Sequence, residues 1–127
     1  MFTLVAGTGY TGKRVLGRLP IERAAGLSRT TIATDREFHQ FDFDNDGVLP
    51  IALPERYAVL YTCPPGGETD ERLKRFLRIL PHSPTRRVYI STTGVYGDCR
   101  GALVTEETPT NPGSRMSKPR VAAEQLL

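Results

Sequence analysis

Cysteine is scarce: the chain has two, Cys63 and Cys99, far apart in sequence and outside the paired spacing of a metal or redox site. That excludes a disulfide framework and a cysteine-built metal centre and leaves two reduced structural thiols as the expectation. No apolar run approaches the ~20 residues of a bilayer-spanning helix, and Met1 leads straight into a strand-like segment with no leader pattern. A cytoplasmic protein without a membrane partner is expected. Neither sign of charge dominates, with 17 Lys and Arg against 14 Asp and Glu. Arg72, Lys74, Arg75, Arg78, Arg86 and Arg87 cluster, but the first four share a predicted helix with Asp70 and Glu71. Mixed signs on one helix describe a solvated face, so no nucleic-acid partner is expected. Internal repeats and low-complexity tracts are missing. The aspartates at 42, 44 and 46 do not run on into the bidentate glutamate of a calcium loop, so a turn is expected there and no metal.

What is present is a chain of 127 residues, 39% hydrophobic and 24% charged, the size and balance of one soluble domain spanning residues 1–127. Its most informative stretch is FTLVAGTGYTGKRVLGRL, Phe2 to Leu19. A short apolar run stops at glycine, Gly7, Gly9 and Gly12 follow in G-x-G-x-x-G spacing, and a helical pattern comes after them. Gly7 would let the chain turn, Gly9 would admit a pyrophosphate close to the backbone, and Gly12 would let the helix pack against the strand. The anion would sit among the free amides where the helix begins, which makes Thr8, Tyr10 and Thr11 candidate contacts as well.

The first helix should run from about Thr11 to Leu19, with Val15, Leu16 and Leu19 inward and Pro20 ending it. The second strand has two possible locations. Arg23 to Ser28 would leave Arg29 just past its tip, whereas the more β-branched Thr30 to Thr34 would leave Asp35 there. An acid at that point suits the 2′-hydroxyl of NAD, and an arginine suits the 2′-phosphate of NADP. The spacing from the glycines fits Arg29 better, so NADP is favoured and NAD is the alternative. Phe38 to Phe43 alternates like a third strand. Tyr57 to Cys63 reads as a buried fourth strand that breaks at Pro64-Pro65-Gly66-Gly67. Leu73, Phe76, Leu77 and Leu80 mark a helix beginning at Thr69, and Arg87 to Ser91 a fifth strand. A last helix starts near Lys118, with Val121, Ala122, Gln125 and Leu126 in register. Alternating strands and helices argue for an α/β fold, a doubly wound parallel sheet.

GTGYTG, TCPPGG after the fourth strand, ISTTGVYGD after the fifth, and the later R-V-A-A-E-Q-L-L together resemble the NAD(P)-dependent epimerase/dehydratase family, the extended and atypical short-chain dehydrogenases. The resemblance implies a Rossmann-like sheet of about five strands here, in order 3-2-1-4-5, with the family's smaller substrate lobe absent. It implies an oxidoreductase or epimerase domain in which Thr92 orients a substrate oxygen. Gly7, Thr8, Gly9, Tyr10, Thr11 and Gly12 match the pyrophosphate loop and Ser28 with Arg29 the ribose-phosphate position. Asp42 with Phe43 matches the adenine side, and Cys63, Pro64 and Pro65 the loop beside the nicotinamide ribose. The substrate would be a small molecule, a nucleotide sugar or carbonyl compound, and an open sheet edge makes a homodimer plausible.

The chain departs from the family at the Y-x-x-x-K pair. Aligning on Ala122, Ala123 and Glu124 puts Met116 at the tyrosine and Arg120 at the lysine. A thioether has no proton to exchange, whereas Arg120 can still hold a hydroxyl. Shifting the register to Lys118 leaves Ser114 in the tyrosine's place. Tyr96 is a conceivable substitute acid. Two readings of Thr92 therefore stay open, a substrate-orienting hydroxyl and a strand-end cap of its own turn. Two functions stay open as well: a catalytic domain, and a non-catalytic NADP(H)-binding regulatory or redox-sensing module.

Overall fold

In the computed structural model, which describes residues 1–127, β1 (Phe2–Ala6) is the central strand of the sheet. It is flanked by β2 (Ala24–Ser28) and β4 (Tyr57–Tyr61), and β3 (Glu37–Gln40) and β5 (Arg86–Tyr89) form the two edges. All four pairings are parallel, in the order β3-β2-β1-β4-β5, so the fold is Rossmann-like. The helices are α1 (Tyr10–Leu16), α2 (Glu71–Ile79) and α3 (Lys118–Gln125), none of them long and apolar enough to cross a membrane. The chain divides into two compact units, residues 1–64 with 75–90, and residues 65–74 with 91–127.

The first unit holds the sheet. Leu4, Val5 and Ala6 of β1 are fully buried, as a strand covered on both faces must be. Leu16 anchors α1 in a cluster with Val5, Ala24 and Leu60, and Val15, Leu19 and Ile32 close its rim. Complete burial of such a leucine stabilises the fold by roughly 1.5–3 kcal/mol. A second cluster is aromatic: Phe43 meets Phe41 edge-on at 4.9 Å between ring centroids and tilts against Phe76 at 5.5 Å.

The sheet resolves the choice of second strand. β2 is Ala24–Ser28, and the more β-branched Thr30 to Thr34 lies outside any strand. The reason is close approach: a Cβ on Gly26 would stand 2.7 Å from both Leu16 Cδ2 and Thr8 Cγ2. A strand of Ala, Ala and Gly lets α1 and the loop before it settle, so packing outweighs β-propensity.

Other boundaries also shift. α1 ends at Leu16 rather than Leu19, where Arg36 reaches back to donate to the carbonyls of Gly17 at 2.7 Å and Leu19 at 2.6 Å. A guanidinium there satisfies helix-end acceptors and complements the dipole. β3 stops at Gln40 rather than continuing to Phe43, because the chain folds into a turn at Asp42. β4 ends at Tyr61 and β5 runs over Arg86–Tyr89, not 87–91. α2 begins at Glu71 rather than Thr69. Asp70 caps it, its Oδ1 accepting from the amides of Gly66 at 3.0 Å and Leu73 at 3.2 Å. Asp70 is therefore buried, not part of a solvated face as the charge pattern suggested. In α3 the buried residues are Pro119 and Ala123, neither of them among the expected Val121, Ala122, Gln125 and Leu126.

Candidate functional site

The glycine turn belongs to the first unit and is clamped from two neighbouring strands. The Gly7 amide donates to Leu27 O on β2 at 2.9 Å, and the Thr62 hydroxyl, just past β4, donates to Gly7 O. Each glycine has its own physical reason. Gly7 has φ +97°, and a Cβ there would stand 2.8 Å from Cys63 Sγ and from Thr62 Oγ1. A Cβ on Gly12 would stand 1.9 Å from Gly7 O, so α1 can lie against the turn only with glycine at that position. Gly9 differs, since a Cβ there would meet nothing within 4 Å and its φ of −71° suits any residue. Protein packing accounts for Gly7 and Gly12 and gives no reason for Gly9. Thr8, between them, is 2% exposed, and its hydroxyl has no hydrogen-bond partner within the protein.

Gly9 begins α1 without a side-chain cap, and Gly9, Tyr10 and Thr11 are all exposed. Arg14 covers one face of the Tyr10 ring at 3.5 Å from its centroid and donates to Tyr10 O at 2.9 Å. Cys63 is buried beneath the turn with its thiol directed at Ala6 O, while Pro64 is exposed. Thr62 is the residue that sequence reasoning missed. Its only signal was a polar residue directly after the apolar run of β4.

At the tip of β2, Ser28 is half-buried and Arg29 exposed, with Gln40 Nε2 held at 3.0 Å by Arg29 O. Asp42 uses its carboxylate within its own turn, Oδ1 accepting from Asp44 N and Oδ2 from Asn45 Nδ2, both at 2.9 Å. The Asn45 amide first, then the Asp44 amide, hold this carboxyl below its ordinary pKa, and the charge of Arg29 acts in the same direction. A depressed carboxyl pKa in the fold contributes stability that is complete above the unfolded value and lost as pH falls through the folded one. An NMR titration of the Asp42 carboxyl should therefore give a midpoint below 3.8, and Asp42→Asn should remove that part of the acid-side stability loss. Phe43 is a core ring, 6% exposed, which leaves its backbone for any ligand contact.

The second unit holds the residues matched to catalysis. Thr92 is exposed and extended, and its hydroxyl accepts from Gly94 N at 3.3 Å, capping the 3-10 turn Thr93–Tyr96. That bond occupies a lone pair and leaves the hydroxyl proton available. Gly97 closes the same turn at φ +72°, where a Cβ would stand 2.1 Å from Asn111 O. Tyr96 and Arg120 are half-buried, whereas Met116 is 82% exposed. Pro65 is half-buried in the loop before Asp70.

Two connections fix α3 to this segment, and neither was read from the sequence. Ser91 Oγ donates to Glu124 Oε1 at 2.5 Å. Ser114 and Ser117 form a reciprocal capping pair, each hydroxyl accepting from the other's amide at 3.1 Å. Ser117 is 3% exposed, and the Ser114 hydroxyl serves the start of the helix.

Protein-family models give no match to this chain, and neither do curated proteins. Solved structures do. A proposed NAD-dependent epimerase/dehydratase from Methylobacillus flagellatus superposes with a TM-score of 0.75 at 20% identity, over 99% of this chain and 50% of its own. A conserved protein of unknown function from Silicibacter pomeroyi DSS gives 0.69 at 29% identity, over 98% and 48%. The UDP-N-acetylglucosamine 4-epimerase from Bacillus cereus gives 0.68 at 17%, over 99% and 49%. The chain spans about half the length of each. At such identities the likeness establishes the fold.

Proposed function

We propose that the backbone of residues 8–12 binds the diphosphate of a nicotinamide dinucleotide and that the domain serves oxidoreductase or epimerase chemistry. The observation that carries this reading is Gly9. Its two companion glycines are required by contacts inside the protein, whereas a side chain at Gly9 would enter open space. A glycine that the fold does not require, in a motif at the carboxyl end of β1, has its reason in a ligand that comes close to the backbone. The unpartnered Thr8 hydroxyl adjoins it, and two of the similar structures carry epimerase descriptions.

The bound nicotinamide would supply hydride transfer, which no side chain can supply. The chain's own residues bind and orient. Arg29 at the tip of β2 favours a 2′-phosphate, hence NADP over NAD, because a guanidinium matches phosphate and an exposed one loses little on meeting it. Thr92 would donate its remaining proton to a substrate oxygen, and a small carbonyl compound or nucleotide sugar offers one. Met116 has no proton to give, and Arg120 supplies charge without acidity.

Fluorescence titration with NADPH and NADH tests the reading. NADPH should bind at least about tenfold more tightly, and Arg29→Ala should remove that advantage, as expected for one lost charge-assisted contact. Absence of binding by either coenzyme would overturn it. Binding without turnover of any carbonyl or nucleotide sugar would leave a binding module in place of an enzyme.

A further inference from the structure

Two successive carbonyls at the end of β1 are held by one residue, Thr62, in two different ways. Ala6 O accepts from the Thr62 amide at 2.9 Å, a bond that any residue except proline could make there. Gly7 O accepts from the Thr62 hydroxyl, its one hydrogen bond within the protein, and only a side chain with a donor supplies that. The hydroxyl has a single proton, for which Ala6 O at 3.5 Å is the weaker claimant. Gly7 itself cannot fix the turn. At φ +97° it has no Cβ whose sterics would set the next dihedral. Its amide is tied to Leu27 O at 2.9 Å, which secures the residue on one side only. Rotation about its Cα–C bond would still swing the Gly7–Thr8 peptide, and because that peptide is planar its carbonyl and the Thr8 amide turn together. The Thr62 hydroxyl opposes this rotation. It stands where turn and helix meet, 2.8 Å from a Cβ placed on Gly7 and 3.0 Å from one placed on Gly12, so the plane it holds is the one from which residues 8–12 run into α1.

We propose that Thr62 is a positioning residue for the coenzyme: by holding Gly7 O, its hydroxyl fixes the backbone that grips the diphosphate and so sets the affinity for NADH and NADPH alike, which rests on the dinucleotide reading of residues 8–12. Its role differs measurably from that of Arg29. Arg29 would meet a 2′-phosphate that only NADP carries, whereas the diphosphate is common to both coenzymes. Loss of the Thr62 hydroxyl therefore weakens both by the same factor and leaves their ratio unchanged.

Fluorescence titration of the whole chain with NADPH and NADH, in the natural protein and in Thr62→Val, Thr62→Ser and Thr62→Ala, tests this, with thermal unfolding recorded on each. Valine keeps the shape of threonine and removes the donor, so it should weaken both coenzymes about tenfold, as expected for roughly one lost hydrogen bond. Serine keeps the donor and gives up the methyl, so it should bind both within about twofold of the natural protein. Alanine removes the donor without setting a methyl against Gly7 O, and repeats the comparison should the valine variant not fold. A threonine that only held the fold together would lower Tm on replacement and leave both affinities of the folded chain unchanged, and that result would overturn the proposal. So would a serine variant as weak as the valine one, or a loss confined to NADPH. Absence of binding by the natural protein would overturn the dinucleotide reading and this proposal with it, whereas unchanged binding in Thr62→Val would overturn the proposal alone.

Discussion

Gly12→Ala should cost about 3 kcal/mol or more, a large share of the 5–15 kcal/mol that holds a typical domain together. The new methyl would lie 1.9 Å from Gly7 O, well inside any permitted contact. The obstacle is a backbone carbonyl, so no rotamer change relieves it. Gly7 cannot retreat either, because its amide is bonded to Leu27 O and its carbonyl to the Thr62 hydroxyl. Either α1 lifts from the sheet, exposing Leu16, or the turn breaks both clamps. A urea midpoint measured by circular dichroism will show it, with a fall in Tm of roughly 10 °C for a chain of this size. Gly17→Ala is the matched control. Its Cβ would make only ordinary contacts, with Lys13 O at 3.5 Å and Arg14 O at 3.7 Å, and its φ is −64°, so the substitution should be neutral or stabilise by about 0.4–1 kcal/mol. If Gly12→Ala proved as harmless as the control, the account of how α1 joins the sheet would be wrong.

Gly9→Ala should have the opposite profile. Nothing stands within 4 Å of the added methyl, so stability should stay within about 0.5 kcal/mol of the natural protein. Dinucleotide affinity, by contrast, should fall at least about tenfold, because the methyl occupies the space through which a diphosphate approaches the amides, and Gly9→Val should lower it further. Unchanged affinity in a well-folded Gly9→Ala would remove the diphosphate from this turn. The two glycines stand three residues apart in one motif. The structure assigns one to folding and leaves the other to a ligand, and denaturation and binding measured on the same pair of variants separate the roles.

The local pattern of the sequence determined the sheet and the turn. Period and order were sufficient for strand, glycine turn and helix, for the apolar β4, for the amphipathic α2, and through their alternation for a parallel sheet, whereas its order β3-β2-β1-β4-β5 was implied by the family resemblance alone. The distinct reasons for Gly7 and Gly12 were also legible, because a turn and a close helix-strand contact are local demands. Tertiary structure decided what depends on neighbours distant in the chain. The location of β2 hinged on Leu16 and Thr8 lying against Gly26, which no propensity scale contains. Thr62, 55 residues from Gly7, was invisible as a clamp until the strands were side by side. Asp70 looked like a surface charge because helix periodicity does not reveal that a cap will be buried. Ser91 and Glu124, 33 residues apart, met only through the fold. Side-chain periodicity encodes which face of an element turns inward; which partner it meets there is a property of the packed chain.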